Sequence, residues 1–304
     1  MAYLKYTYTS SATAAQILAD VVLFLTGTTD VADFSASCDY ANSEIDVSVD
    51  AAGWTVHDAS AGTNAQVLKA LVASSASQYK YLKIDTNSAG YIKLSGYETW
   101  DEVAHTGTNL CYNSDSTSYC QRLNVAAGGR LDIRANVHCC WAFSFQGGVY
   151  GSSTGTSPSG ILERTRLSPW DTADHGYPPF LFACGVTAAA YSEPRSLSAA
   201  GADLTASSAV CAPFHAFGGG GTLPNLPTTT VPDDDTGASY KHVMVPFGGN
   251  RVADGHLGGD FSSLCDIYMT THGNGSPFDT VTYSGGTYMI WHIGTAQRFA
   301  VRKG

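Results

Sequence analysis

Eight cysteines, Cys38, Cys111, Cys120, Cys139, Cys140, Cys184, Cys211 and Cys265, are the residues of this sequence best suited to covalent or metal chemistry. Zinc sites draw on two Cys or His separated by two to four residues, followed by a second such pair. Cys111 and Cys120 are too far apart for that spacing. Cys139 and Cys140 are adjacent and point to opposite faces of a strand, and His138 beside them lies in a run, 137–141, that reads as strand and not as a ligand loop. No metal or cofactor is expected. Two readings stay open for the thiols. One is burial as free cysteines, since free Cys is among the most buried residue types; the other is disulfide formation. Cys111–Cys120 is the local candidate bridge, because the turn-rich stretch 112–119 lies between them and closing such a loop contributes on the order of 2–3 kcal/mol. Cys139 and Cys140 cannot easily bridge to each other. A member of that pair facing outward could instead cross-link to a neighbouring subunit.

Catalytic patterns are weak. Gly218 to Gly221 lacks the Lys-Ser/Thr that completes a phosphate loop and sits between loop segments. No Gly-x-Ser-x-Gly elbow occurs. Asp254-Gly255-His256 and Asp260 supply triad residue types, but a triad is defined by geometry and not by scattered positions. Asp171, Asp174 and His175 lie beside Trp170 and Tyr177, a combination of carboxylates and aromatic platforms that suits carbohydrate binding or hydrolysis. The neighbouring Pro178 and Pro179 restrict the backbone and favour a structural turn. Asp233, Asp234 and Asp235 read as a solvated loop; the alternative is Ca²⁺ binding. No catalytic residue is expected, and the protein is read as a non-enzyme.

Composition narrows the classes further. Charged residues make up 14% of the chain, against a usual ~25%. The 32 glycines, with Ser, Thr, Ala and Tyr, must carry much of the surface. That texture fits an extracellular or particle-bound β-protein. A formal net charge of −10 and the lack of a Lys/Arg cluster argue against nucleic-acid binding. The start has no basic region followed by an apolar one, and the apolar stretch 14–25 is broken by Asp20 and too short to span a membrane. A cytoplasmic origin without membrane contact is expected. Eight cysteines are unusual for a protein that stays in a reducing cytosol.

The periodicity yields a mixed but strand-dominated chain. Residues 11–25 carry an apolar stripe of helical spacing, with Gly27 ending the helix. Residues 64–74 read as a second helix, with Asn64 as its N-cap. Residues 79–85 and 90–94 alternate as strands. From about 125 the pattern is almost all strand: 129–138, 140–145, 161–164, 240–246, a hairpin of 280–283 and 287–291 around Ser284-Gly285-Gly286, and a last strand 298–302. The expected fold is α+β and mostly β. A small helix-plus-sheet layer (1–100) precedes an antiparallel sandwich or barrel-like domain (125–304) with long loops. The Gly/Pro-rich stretch at about 212–236 reads as an extended arm or a surface loop.

Several segments resemble a family of virion structural proteins from tailed bacteriophages. They are 258–266 (GGDFSSLCD) and the ending 298–304 (RFAVRKG), 168–172 (SPWDT) with 176–179 (GYPP), and, more softly, Phe24-Leu25-Thr26-Gly27-Thr28 with Gly53-Trp54-Thr55-Val56. Together they cover well under half of the chain, and none is a catalytic motif. The resemblance implies a neck, collar or tail component located in the virion. Its partners would be other copies of itself and neighbouring virion proteins. Subunits would bury tyrosine-rich, low-charge surfaces against one another, since interface cores are depleted of charge. A virion protein also reconciles a cytoplasmic origin with many cysteines, because it is made in the cell and works outside it. The alternative is a host-surface glycan-binding or depolymerase protein of the particle, with the Trp170–Tyr177 loop on the sugar.

Overall fold

The computed structural model describes residues 2–47, 51–72, 76–87, 91–108, 122–124, 129–145, 159–163, 180–183, 194–196, 210–213, 244–251, 256–260, 262–270, 278–293 and 297–303. Within them the protein is α+β and mostly β, with every strand pairing antiparallel.

A seven-stranded sheet forms the middle of the protein. Its strands run in the order Pro194–Ser196, Phe180–Ala183, Ser159–Glu163, Cys139–Phe145, Arg130–Asn136, Ala2–Thr7 and Glu44–Asp46. Side chains alternate between its faces. Ala2, Leu4, Tyr6, Leu131, Ile133, Ala135, Cys140, Ala142 and Ile161 enter one continuous core with the helix Ala14–Leu25 and with Leu68, Leu82, Ile84 and Leu94 of a second, five-stranded sheet. That sheet orders Thr55–Gly62, Ala65–Leu71, Tyr79–Asn87, Tyr91–Tyr97 and Arg122–Asn124.

The opposite face of the central sheet meets a third sheet formed by C-terminal strands. Trp141 packs on Phe299 at 6.0 Å between ring centroids and Phe143 on Trp291 at 5.5 Å. The strands Arg130–Asn136 and Cys139–Phe145 are therefore covered on both faces, as the central layer of three. The third sheet orders Val210–Pro213, Met244–Arg251, Ile267–Thr270, Gln297–Arg302, Gly286–Ile293 and Thr280–Tyr283, with His256–Asp260 paired to Met244–Arg251. Pairing crosses the boundary drawn between 100 and 125 in the sequence. Strand Ala2–Thr7 lies between Arg130–Asn136 and Glu44–Asp46, and one buried cluster runs from Ala2 to Ile161.

The first helix begins at a capping box. Gln16 N–H donates to Thr13 Oγ1, and the Thr13 N–H donates to Gln16 Oε1. Asp20, the charge that interrupts its apolar stripe, points inward and accepts from Tyr6 Oη at 2.6 Å and from Ser35 N–H at 2.8 Å. Gly27 follows at φ 118°, past the helix end.

Residues 64–74 are not a helix. Ala65–Leu71 is a strand between Thr55–Gly62 and Tyr79–Asn87, and Thr63-Asn64 is the hairpin turn before it. Leu68 and Ala70 face the main core, while Ala65 and Val67 pack on Trp100 from the other side. A strand buried on both faces loses its alternation and imitates a helical stripe; pairing on both edges overrides the local propensity.

Candidate functional site

The ionisable side chains of the described core gather where the layers meet. Lys80, on Tyr79–Asn87 of the five-stranded sheet, is buried and reaches across to Glu163, at the end of Ser159–Glu163 in the central sheet. Its Nζ donates to Glu163 Oε2 at 3.0 Å and to the Leu71 carbonyl at 2.8 Å, and lies 5.6 Å from the centroid of the Trp54 ring. His138 Nδ1 is also 3.0 Å from Glu163 Oε2, and its side chain, at 25% exposure, brings the group nearest to solvent. Burial pushes Lys80 below the ordinary lysine value, and Glu163 opposes that shift.

Asn136 organises the turn beside this pair. Its Oδ1 accepts from the His138 N–H (2.8 Å) and the Cys139 N–H (2.9 Å), its Nδ2 donates to the Leu264 carbonyl (3.0 Å), and its own carbonyl accepts from Trp54 Nε1 (2.8 Å). One residue thus ties the turn between two central strands to the Trp54 segment and to the short helix Ser262–Cys265.

A second joint lies between the central and C-terminal sheets. Asp132 Oδ1 accepts from Tyr3 Oη and, at 2.6 Å, from Arg130 Nη2. The Arg130 guanidinium stacks 3.7 Å from the centroid of the Phe278 ring, and Tyr3 Oη touches Met289 Sδ at 3.4 Å. Burial raises the Asp132 carboxyl, with Arg130 and Tyr3 pulling the other way.

The third joint holds the small hairpin Thr99–Asp101 and Thr106–Thr108 to the five-stranded sheet. Asp58 Oδ2 accepts from Trp100 Nε1 at 2.9 Å and is 2.8 Å from His105 Nδ1, while Oδ1 accepts from the Ser60 N–H. Burial works to raise the Asp58 carboxyl, but bonds from His105, Trp100 and Ser60 prevail and hold it down at about 2. On the face of the third sheet turned away from the central one, Tyr268, Tyr283 and the buried Tyr288 form an edge-to-face cluster with ring centroids 5.6 to 6.1 Å apart.

Chemically, the three joints are fasteners. Each joins strands distant in sequence through a carboxylate that accepts from two or more donors. Among the described residues no group of three His, Cys, Asp or Glu is placed to hold a metal ion, and no helix is long and apolar enough to cross a membrane.

Of the residues singled out in the sequence, Cys111 and Cys120 lie outside the described residues, as do Trp170, Asp171, Asp174, His175, Tyr177, Gly218 to Gly221, Asp233 to Asp235, Asp254 and the Gly/Pro-rich stretch. His256 and Asp260 are the two ends of one strand. Cys139 and Cys140 do point to opposite faces, but both are buried inside the chain, so neither has the outward position that a cross-link to another subunit requires. Each face of their strand is covered by another layer, and alternation alone could not tell that. Lys80, Glu163, Asn136, Asp132 and Asp58 went unnoticed. Lys80 did carry a signal, because it is in phase with the apolar Leu82 and Ile84 of its strand.

No protein-family model matches the chain, and no curated protein sequence matches it.

Proposed function

We propose that this chain is a non-enzymatic structural component of a bacteriophage virion, at the neck, collar or tail, which assembles as a multimer with itself and with neighbouring virion proteins. The observation that carries the reading is the inward use of charge. Lys80–Glu163 and Asp58–His105 join separate sheets and hairpins, and Asp132 joins Tyr3 of the neighbouring strand to Arg130, which stacks on Phe278, so the groups with chemical potential serve cohesion. A particle component must hold its shape outside the cell, and a three-layer β-fold bolted through its middle suits that demand. The low overall charge and the resemblance of the 258–266, 168–179 and 298–304 segments to phage structural proteins support the same assignment.

A second reading, a glycan-binding protein of the particle, draws on the tyrosine cluster of the third sheet. Tyr283 is exposed there beside Tyr268 and Tyr288, and aromatic rings of this kind stack on sugars. Two measurements on the purified chain separate the readings. Sedimentation giving one closed multimer, with no binding on a glycan array, is the expected result. A monomer that binds one class of glycan would replace the first reading with the second.

A further inference from the structure

Cys139 and Cys265 are roughly 125 residues apart, yet Cys265 Sγ lies against the backbone that leads into Cys139. Backbone placement explains the meeting. Cys139 begins its strand directly after the turn held by Asn136, and the helix Ser262–Cys265 is tied to that same Asn136 through the Leu264 carbonyl. Cys265 Sγ lies 3.5 Å from the Glu163 carbonyl oxygen and 4.0 Å from that of His138, the peptide immediately before Cys139. Both thiols are fully buried, and the Lys80–Glu163 pairing uses neither. Cys140 points to the opposite face, into the helix-side core.

We propose that Cys139 and Cys265 close into an intramolecular disulfide when the protein meets an oxidant, covalently fastening the C-terminal sheet to the central one. A disulfide needs the two sulfurs about 2 Å apart, and Cys265 Sγ already sits beside the peptide that precedes Cys139. The two sulfurs differ in readiness. Burial alone would raise Cys139, but the hydrogen bond from Cys265 and the positive charges of Arg134 and Lys80 hold it below the usual thiol value; burial and Cys139 push Cys265 well above it. Cys139 is therefore the attacking thiolate. With hydrogen peroxide as oxidant, the Cys139 thiolate takes one oxygen, the O–O bond breaks, and a sulfenic acid and hydroxide form. The Cys265 sulfur then displaces the sulfenic oxygen, the S–S bond forms, and the thiol proton leaves with that oxygen as water. Two thiols are oxidised, and one peroxide is reduced to two waters.

The bond lies within one chain, so its test does not depend on the virion reading. Full-length protein kept reduced is treated with hydrogen peroxide, denatured in a thiol-alkylating reagent and digested without reductant. The expected product is a peptide carrying Cys139 joined to one carrying Cys265. The oxidised protein should unfold on the order of 10 °C above the dithiothreitol-reduced protein, and Cys139→Ala or Cys265→Ala should abolish that redox-dependent shift. The proposal is overturned if both cysteines are alkylated after peroxide treatment, if either is joined to a different cysteine, or if the wild-type midpoint ignores the redox state. Should the variants fail to fold, the wild-type peptide map decides alone.

Discussion

Lys80 Nζ and Glu163 Oε2 lie 3.0 Å apart, in different sheets, and neither side chain reaches solvent. A buried pair of this kind adds little net stability over an apolar pair of equal size, but breaking it strands a charge. Glu163→Leu should therefore destabilise the protein by about 3–5 kcal/mol, and Lys80→Met combined with Glu163→Leu should recover most of the loss. Urea denaturation of the wild type, both single variants and the double variant checks this. A loss in the double variant equal to the sum of the two single losses would show that the pair is not coupled.

Asn136 is the second point of leverage. Asn136→Ala removes the acceptor of two backbone N–H groups and the donor to the Leu264 carbonyl. Unmet buried groups cost about 1–3 kcal/mol each, so a fall of roughly 3 kcal/mol is expected in the same denaturation experiment. Amide hydrogen exchange should quicken at His138 and Cys139.

Acid should loosen the Thr99–Thr108 hairpin through Asp58. The folded carboxyl is held at about 2, below the ~3.9 of an unfolded aspartate. A carboxylate depressed in the folded state contributes stability that is fully present above the unfolded value and is lost as the pH falls through the folded one. The loss attributable to Asp58 therefore falls between about pH 4 and pH 2. Asp132, which burial shifts upward, has the opposite sign, so total stability mixes the two. The difference between wild type and Asp58→Asn isolates the first: it should be largest near neutrality and shrink across that window. Thermal melts in a pH series measure it, and a pH-independent difference would contradict the assignment.

The C-terminal hairpin turns through Ser284 at φ 47° and Gly285 at φ 80°, the two left-handed positions of a type I′ turn. A Cβ on Gly285 would meet nothing within 4 Å. Gly285→Val should thus cost about 1–2 kcal/mol from backbone strain alone, whereas Ser284→Asn, which tolerates that conformation better, should be neutral or slightly stabilising. Thermal denaturation of the two variants distinguishes strain from a steric clash.

Much of the fold was legible. The first helix, the strands around 79–85, 129–136 and 140–145, and the final hairpin followed from periodicity and turn chemistry, because each has at least one clean apolar face or a marked turn; the run 137–141, read as one strand, instead holds the turn 137–138 between Arg130–Asn136 and Cys139–Phe145. Ala65–Leu71 was misread because burial on both faces erases the alternation that marks a strand. The joints were legible only in part. Lys80 and Glu163 each stand in phase with apolar neighbours, Leu82 with Ile84 and Ile161, and that is the trace of a buried ion pair. Asn136 left no trace, since the groups it serves are backbone groups gathered by the turn. The meeting of Cys139 with Cys265 depends on how the third sheet docks, which local pattern does not encode.

The central claim, a structural place in a phage particle, is tested most directly by mass spectrometry of gradient-purified infectious particles, with peptides of this chain quantified against a known capsid component. A fixed stoichiometric ratio that survives repeated purification is the expected result. Absence of the chain from infectious particles, with its peptides confined to the soluble lysate, would contradict the account.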